Sequence, residues 1–197
     1  MALTAKSSGG GDFDIAPAGN HVAICYGVVD LGEHEQEWQG KVSLKHRVRI
    51  SWELCDELMS DGRPFSISKE YTLSLNEKAT LRHDLESWRG RPFTDAELAG
   101  FDIFVLLGKP CMVNVVHKPK RDGLGGYAAV SSVATIPKGM PARDQVNPFI
   151  RFSMEEEGAQ EVFNGFPDWL KNKIRWPSHR SEMDEYDALA SSDDCPF

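Results

Sequence analysis

The sequence predicts a mainly β fold: a five-stranded barrel with a helix between strands 3 and 4, then a small helical C-terminal appendage and a disordered acidic tail. Three observations support this prediction. Apolar and polar residues alternate with a period of two from Lys41 to Leu54, which is typical of a strand with one face in the core. Four further runs are rich in β-branched and apolar residues. A helical stretch that ends at Gly90 separates the first three predicted strands from the last two.

The predicted strands are bounded by turn and loop signals. A polar loop from Gly32 to Gly40 follows the first strand, and the turn sequence Asp61-Gly62-Arg63-Pro64 precedes the third. The predicted strands cover residues 21–30, 41–54, 65–74, 110–118 and 127–136. In strand 2 the even positions, from Val42 to Leu54, are expected to face the core. In strand 3, Lys69 interrupts the alternating set of Phe65, Ile67, Tyr71 and Leu73, so the pattern is compatible with either face toward the core.

Two helices are predicted between strands 3 and 4. In the first, which has Asn76 or Ser74 as its N-cap, three apolar residues share one face and Gly90 ends the helix. In the second, Thr94 and Glu97 have the spacing of a capping box. Three strands, a helical connection and two strands is the order of an oligonucleotide-binding (OB) barrel. Other small β-rich folds share this order.

The rest of the chain is predicted to flank this barrel. Residues 1–14 form a flexible lead-in without the apolar region of a signal peptide. The OB domain covers 15–138, and a Pro-rich linker covers 139–147. A helical appendage at 148–176 packs on the barrel or on a second subunit, and residues 177–197 form the acidic tail. No apolar run is long enough to span a membrane, so we expect a cytoplasmic protein.

The net charge of −8 argues at first against nucleic-acid binding, which usually requires a basic surface. However, residues 1–150 carry a net charge of only −2, and residues 151–197 carry −6. A basic surface on the barrel is therefore compatible with the composition. The four cysteines form no C-x-x-C pair, and the six histidines have no metal-ligand spacing. Buried thiols in a reducing compartment are the expected state of Cys25, Cys55 and Cys111, whereas Cys195 in the tail is expected to be exposed.

The first candidate binding site is the polar face of strand 2, which carries Lys41, Lys45, Arg47 and Arg49. Alternate residues of a strand are about 6.5 Å apart, close to the phosphate spacing of a stretched single strand. Aligned like charges repel one another, which a purely structural face would avoid. The alternative is a solvated face paired with carboxylates.

The second candidate set is aromatic, because bases of a single strand stack on flat side chains. Trp38 lies in the predicted polar loop, Tyr71 shares a strand face with Lys69, and Tyr127 begins strand 5. Tyr127 is as compatible with packing as with stacking. Trp52 is expected in the core, and Phe65 fits either role.

The third candidate is the loop between strands 4 and 5, with Lys118, Lys120 and Arg121 followed by glycines. In OB barrels this loop folds over the binding groove, so it could hold a nucleic-acid backbone. An ordinary exposed hairpin loop is the alternative.

Catalytic motifs are missing from the sequence. It contains no P-loop, no H-E-x-x-H and no Gly-x-Ser-x-Gly. We therefore expect neither an enzyme nor a cofactor or metal requirement. A small metal-dependent nuclease that uses carboxylates such as Glu53, Asp56 and Asp61 is the alternative from the enzyme class.

The chain ends in an acidic, aromatic tip: Asp193, Asp194, Cys195, Pro196, Phe197. This tip resembles the C-terminus of bacterial and phage single-stranded DNA-binding proteins, with Cys195 at the position of an apolar residue. The body, including Ser68–Leu73 and Leu107–Pro110, resembles phage-encoded proteins of this family with one OB domain. The tip resemblance covers about six residues.

This resemblance implies non-sequence-specific binding of single-stranded DNA during replication, recombination or repair. It implies that the C-terminal tip binds replication or repair proteins, and that the protein acts in the host cytoplasm if a phage encodes it. The sequence is also compatible with a homo-oligomer. The alternative from the class of binding modules is an OB-fold accessory factor that interacts with proteins alone.

Overall fold

The computed structural model describes residues 14–120, 125–140 and 143–175, without the side chain of Trp38. The strands of these residues are β1 (Gly19–Trp38), β2 (Lys41–Leu58), β3 (Pro64–Thr72), β4 (Pro110–Pro119), β5 (Gly126–Ala134) and β6 (Ile150–Phe152). The helices are α1 (Thr80–Arg89), α2 (Asp95–Ala99), α3 (Ala159–Asn164) and α4 (Asp168–Lys171), with a 3-10 turn at Ile103–Leu106. None of these helices is long and apolar enough to cross a membrane.

The strands form one sheet in the order β3-β2-β1-β4-β5, with antiparallel neighbours, and β6 adds to β1 in parallel. The prediction of a mainly β fold is confirmed. Within the described residues, no strand pairing joins β3 to β5, so the sheet is not closed into the predicted barrel. β6 is a strand that the sequence patterns did not predict, because its three residues are too few to show a period.

The predicted loop from Gly32 to Gly40 is instead part of a long hairpin. β1 continues to Trp38, and its residues 33–38 pair one by one with residues 41–46 of β2. Gln39 and Gly40 have φ values of 50° and 74°, the signs of a two-residue type I′ turn, which matches the twist of paired strands. Cross-strand hydrogen bonds and this turn stabilise a strand that composition alone would not predict.

The main core lies on one face of β2, the inner face. Val48, Ile50, Trp52 and Leu54 are buried there against α1, and the Trp52 and Trp88 rings lie 6.0 Å apart. Trp52 and Phe65 are therefore core residues. In contrast, Val42 and Leu44 are 64% and 46% exposed. The expectation that they face the core is wrong, because the β1–β2 hairpin extends past the elements that cover the inner face.

The connection between β3 and β4 is helical, as predicted, with one difference at its start. α1 follows Ala79 as N-cap, and neither predicted cap residue serves, because Ser74 Oγ accepts from the Asn76 amide in a turn before the helix. Gly90 ends α1 with φ of 67°. The capping box of Thr94 and Glu97 is confirmed at α2.

The C-terminal segment, residues 146–175, packs on the sheet of its own chain. Its apolar residues form a second core with Val29 and Leu31 on the face of β1 opposite the main core; the contributors from the segment are Phe152, Ala159, Phe163, Leu170 and Ile174. The Arg175 amide also donates to the Leu31 carbonyl, 2.9 Å away. At Gly32, with φ of 74°, an added Cβ would lie 2.8 Å from the Arg175 carbonyl, so this close approach requires glycine.

The predicted linker is partly docked on β2. Glu53, which is 1% exposed, accepts hydrogen bonds from the amides of Val146 and Asn147 and from Asn147 Nδ2, at 2.7 to 2.8 Å. A buried carboxylate is tolerated when hydrogen bonds satisfy its oxygens. Glu53 therefore anchors the chain where the C-terminal segment begins.

Replacing Glu53 with Gln should destabilise the protein, because one amide group cannot accept all three of these hydrogen bonds. We expect the free energy of unfolding, measured by urea titration, to fall by about 1.5–3 kcal/mol. Asp56→Asn is the matched control on the same strand, since Asp56 pairs with Arg143 in an exposed ion pair that contributes little. Equal losses in the two variants would show that Glu53 is no anchor.

Candidate nucleic-acid interface

The predicted basic residues of strand 2 lie on the outer face of β2, opposite the main core. Arg47 and Arg49 alternate with the core residues Val48 and Ile50, and Lys41 and Lys45 continue the same side of the strand along the hairpin. The register places Arg47 opposite Thr72 and Arg49 opposite Glu70, so these β3 residues share the outer face.

The C-terminal segment divides this outer face into two halves. The covered half consists of Arg49, Ser51 and Glu53: Trp169 lies over Arg49, Ser51 is buried, and Glu53 binds residues 146–147. The open half consists of Lys41, Lys45 and Arg47. The structure thus covers Arg49 with Trp169, whereas the three cations with which the sequence grouped it lie in the open half.

One carboxylate lies among the cations where the two halves meet. Glu70 Oε2 is 3.2 Å from Arg47 Nη2, and Glu70 Oε1 is 3.4 Å from Arg49 Nη1 and 2.5 Å from Lys173 Nζ. Burial alone would raise the pKa of Glu70, but the Lys173 hydrogen bond and charge, with Arg47 and Arg49, lower it. Burial also lowers the pKa of Arg49. A single negative charge thus faces three positive ones.

The open half continues along the hairpin. Lys41 and Lys45 are exposed, and neither forms an ion pair with a residue in the described ranges. Lys41, Lys45, Ser43, Gln36 and Gln39 line a shallow depression of about 410 Å³. His34 pairs with Lys45 across the strands; burial, along with the charges of Arg47 and Arg175, lowers its pKa.

A larger groove of about 660 Å³ adjoins this surface, between the hairpin, the end of β3 and the start of α1. Its cationic lining residues are Lys45, Arg47, Lys69 and Lys78, and its carboxylates are Glu35 and Glu70. The structure therefore brings cations from β2, β3 and the residues before α1 to one groove.

Lys69 and Tyr71 lie on the inner face of β3, because Tyr71 pairs with the core residue Val48. Tyr71 is 3% exposed, and its hydroxyl donates to Asp84 Oδ2 at 2.8 Å. Lys69 Nζ lies 2.7 Å from the same oxygen. Burial, with the charge of Asp84, raises the pKa of Tyr71. The prediction of Tyr71 as a stacking surface is therefore wrong: its ring belongs to the core.

The β4–β5 hairpin carries the third predicted set at a different place. Lys118 and Lys120 are exposed, and Tyr127, 47% exposed, pairs with Lys118 across the strands. None of the three lines the groove. Because Gly19 pairs with Val115, this hairpin extends from the start of β1, whereas the β1–β2 hairpin lies at its end.

Some predicted residues lie outside the described part of the structure. These are Arg121, the Trp38 side chain and the tip residues Asp193, Asp194, Cys195, Pro196 and Phe197. The Trp38 backbone pairs with Lys41 beside the turn of the hairpin.

Three residues on this surface were not predicted: Lys78, Trp169 and Lys173. The sequence did contain a signal for Trp169. Phe166, Leu170 and Ile174 are spaced four residues apart and would share one face of a helix, whereas Trp169 lies outside this apolar stripe.

Comparison with known proteins assigns no family to this geometry. No protein-family model matches the chain, and no curated protein matches it.

In the described ranges, no three His, Cys, Asp or Glu side chains come together as a metal site. Cys25 and Cys111 are buried, as expected, whereas Cys55 is half-buried, and burial raises the pKa of Cys25 to about 12.

The lowered pKa of Glu70 predicts a pH-dependent contribution to stability. Because the folded-state pKa lies below the ordinary value of 4.5, the ionised carboxylate stabilises the fold above that pH, and this stabilisation is lost as pH falls through the folded-state pKa. Glu70→Gln should therefore lower the Tm near neutral pH, and the difference from wild type should shrink below a pH of about 4.5. Glu35→Gln, in the same groove, is the control. A Tm difference that does not change with pH would contradict this account of Glu70.

Proposed function

We propose that this protein binds single-stranded DNA without sequence preference, through the open half of the outer face and the adjoining groove. The observation that carries the proposal is the concentration of positive charge there in a chain with a net charge of −8. Lys41, Lys45 and Lys78 have no ion-pair partner within the described ranges. Lys and Arg side chains of this kind neutralise phosphates and release counterions.

The arrangement of strands supports the proposal. The order β3-β2-β1-β4-β5 with a helix between β3 and β4 is compatible with an OB fold, whose barrel is partly open. OB domains bind oligonucleotides across strands 2 and 3 and with the loops that join strands 1 to 2 and 4 to 5. Lys41, Lys45, Arg47 and Lys118 lie on the strands and hairpins that would correspond to these in an OB fold.

Binding of this kind requires no bond to be made or broken. Phosphates would contact Lys41, Lys45 and Arg47, which follow one face of an extended hairpin. Tyr127 beside Lys118 offers an exposed ring and a cation at the second hairpin. Stacking is tolerant of sequence because every base has a flat face, which accounts for the lack of sequence preference in the proposal.

The proposed role includes recruitment of replication, recombination or repair proteins by the C-terminal tip. The Phe197 ring would fill an apolar pocket of the partner, and its carboxylate, with Asp193 and Asp194, would meet basic residues there. The support for this role is the resemblance of the tip sequence alone.

Removing two cations of the open half should weaken DNA binding. Lys45→Ala with Arg47→Ala should lower the affinity for oligo-dT, measured by fluorescence anisotropy across a salt series. The slope of log K against log salt should decrease by about 1.4, because each phosphate contact on a single strand contributes about 0.7.

The matched control is Lys109→Ala with Arg63→Ala, which removes the same charge outside the groove. If both double variants lose the same affinity and slope, the open half is not the site. If wild type binds no oligo-dT, the accessory-factor alternative gains support, and cleavage of the oligonucleotide that depends on magnesium would favour the nuclease.

Truncation should separate the tail from the DNA site. Residues 181–197 carry six carboxylates between Glu182 and Asp194, and a tethered acidic segment competes with DNA for a basic groove at high effective concentration. Their removal should leave oligo-dT affinity unchanged or increase it, most clearly at low salt. Phe197→Ala should retain oligo-dT affinity while weakening binding to a replicative helicase or primase. Loss of DNA binding in a truncated but folded protein would place the tail within the DNA site.

A further inference from the structure

The outer face of β2 and β3 needs an aromatic surface if bases stack there, and the aromatic residues of these two strands do not provide one. Trp52, Phe65 and Tyr71 are 0%, 8% and 3% exposed. Among the large hydrophobic side chains in the described ranges, the exposed aromatic ones are Tyr127, Phe149 and Trp169. Trp169, which α4 contributes, is the one that contacts the outer face.

The contacts of Trp169 hold it on this face while leaving it accessible. The Arg49 guanidinium carbon lies 4.9 Å from the centre of the Trp169 ring, within the range of a cation–π interaction. The side chain is still 52% exposed. Lys173, two residues after the end of α4, contacts Glu70 of β3. One contact from α4 and one from the residues that follow it therefore hold this part of the chain against β2 and β3 beside the open half.

Trp169 is also linked to Arg47 of the groove through its contact with Arg49 and the carboxylate of Glu70. Arg49, which lies against its ring, and Arg47, which lines the groove, contact the same carboxylate of Glu70. Arg49 is itself engaged by Glu70 and Trp169, so its role here is to position the indole.

We infer that Trp169 stacks on a base of the bound single strand, with Arg49 as its positioning residue. This inference rests on the proposed function. A strand whose phosphates contact Lys45 and Arg47 would place a neighbouring base against the exposed part of the indole. The ligand is therefore an unpaired nucleobase, supplied by the same strand that the groove binds.

The test compares Trp169→Ala with Phe149→Ala in the full-length chain, using oligo-dT as the probe. Phe149→Ala is the matched control, since Phe149 is also an exposed ring, 59% accessible, in the same C-terminal segment. Trp169→Ala should weaken binding by about 5- to 150-fold, the range expected for one stacked base. Phe149→Ala should bind like wild type.

Trp169→Phe provides a second measurement that does not depend on the stability of the Ala variant. It keeps a flat ring, so oligo-dT affinity should fall less than in Trp169→Ala, while part of the tryptophan quenching on DNA addition should disappear. Unchanged quenching in Trp169→Phe overturns the inference, as does an affinity of folded Trp169→Ala equal to or above wild type. If wild type itself binds no oligo-dT, the proposed function fails first, which is a distinct result.

Discussion

The burial of β1 on both faces is the constraint on which the rest of the structure depends. Val28 lies in the main core, whereas Val29 and Leu31 lie in the second core on the opposite face. Burying a large aliphatic side chain contributes about 1.5–3 kcal/mol, so an uncovered outer face would be costly. The C-terminal segment supplies the cover, and β6 extends it by pairing with β1. The extent of this cover determines which part of β2 remains accessible.

The charged residues of the outer face also differ between its covered half and its open half. Where the outer face is covered, its polar residues are satisfied within the protein: Glu53 by the amides of residues 146–147, and Arg49 by Glu70 and Trp169. Beyond the cover, Lys41 and Lys45 remain exposed. Glu70 lies at the boundary and compensates only part of the positive charge around it. A chain with a net charge of −8 can therefore present a local positive surface, because what a phosphate experiences within a Debye length is the nearby charge.

The sequence predicted the strands that have a periodic pattern and missed features that depend on their neighbours. Alternation identified β2 and its inner face from Val48 to Leu54, but periodicity does not show where the covering elements end, so Val42 and Leu44 were assigned to the core. For Tyr71, the cation two residues before it suggested an exposed face, whereas Lys69 pairs with Asp84 of α1. The pair Val28-Val29 did contain a signal, since consecutive apolar residues indicate a strand buried on both faces. That signal was compatible with packing of the C-terminal segment on its own chain, and the structure shows this packing against the sheet.

The second core also explains how a residue far along the chain reaches the β2–β3 face. Leu170 of α4 lies in this core together with Phe163 of α3 and Ile174, which follows α4, and these contacts fix the orientation of α4. Trp169 precedes Leu170 in the same turn, so burial of Leu170 turns the neighbouring indole away from the second core and toward Arg49. Replacing Trp169 removes a half-exposed ring, whereas replacing Leu170 removes a core contact. The first change should therefore act mainly on the surface and the second mainly on stability, which is why Trp169 can be tested without dismantling the fold that positions it.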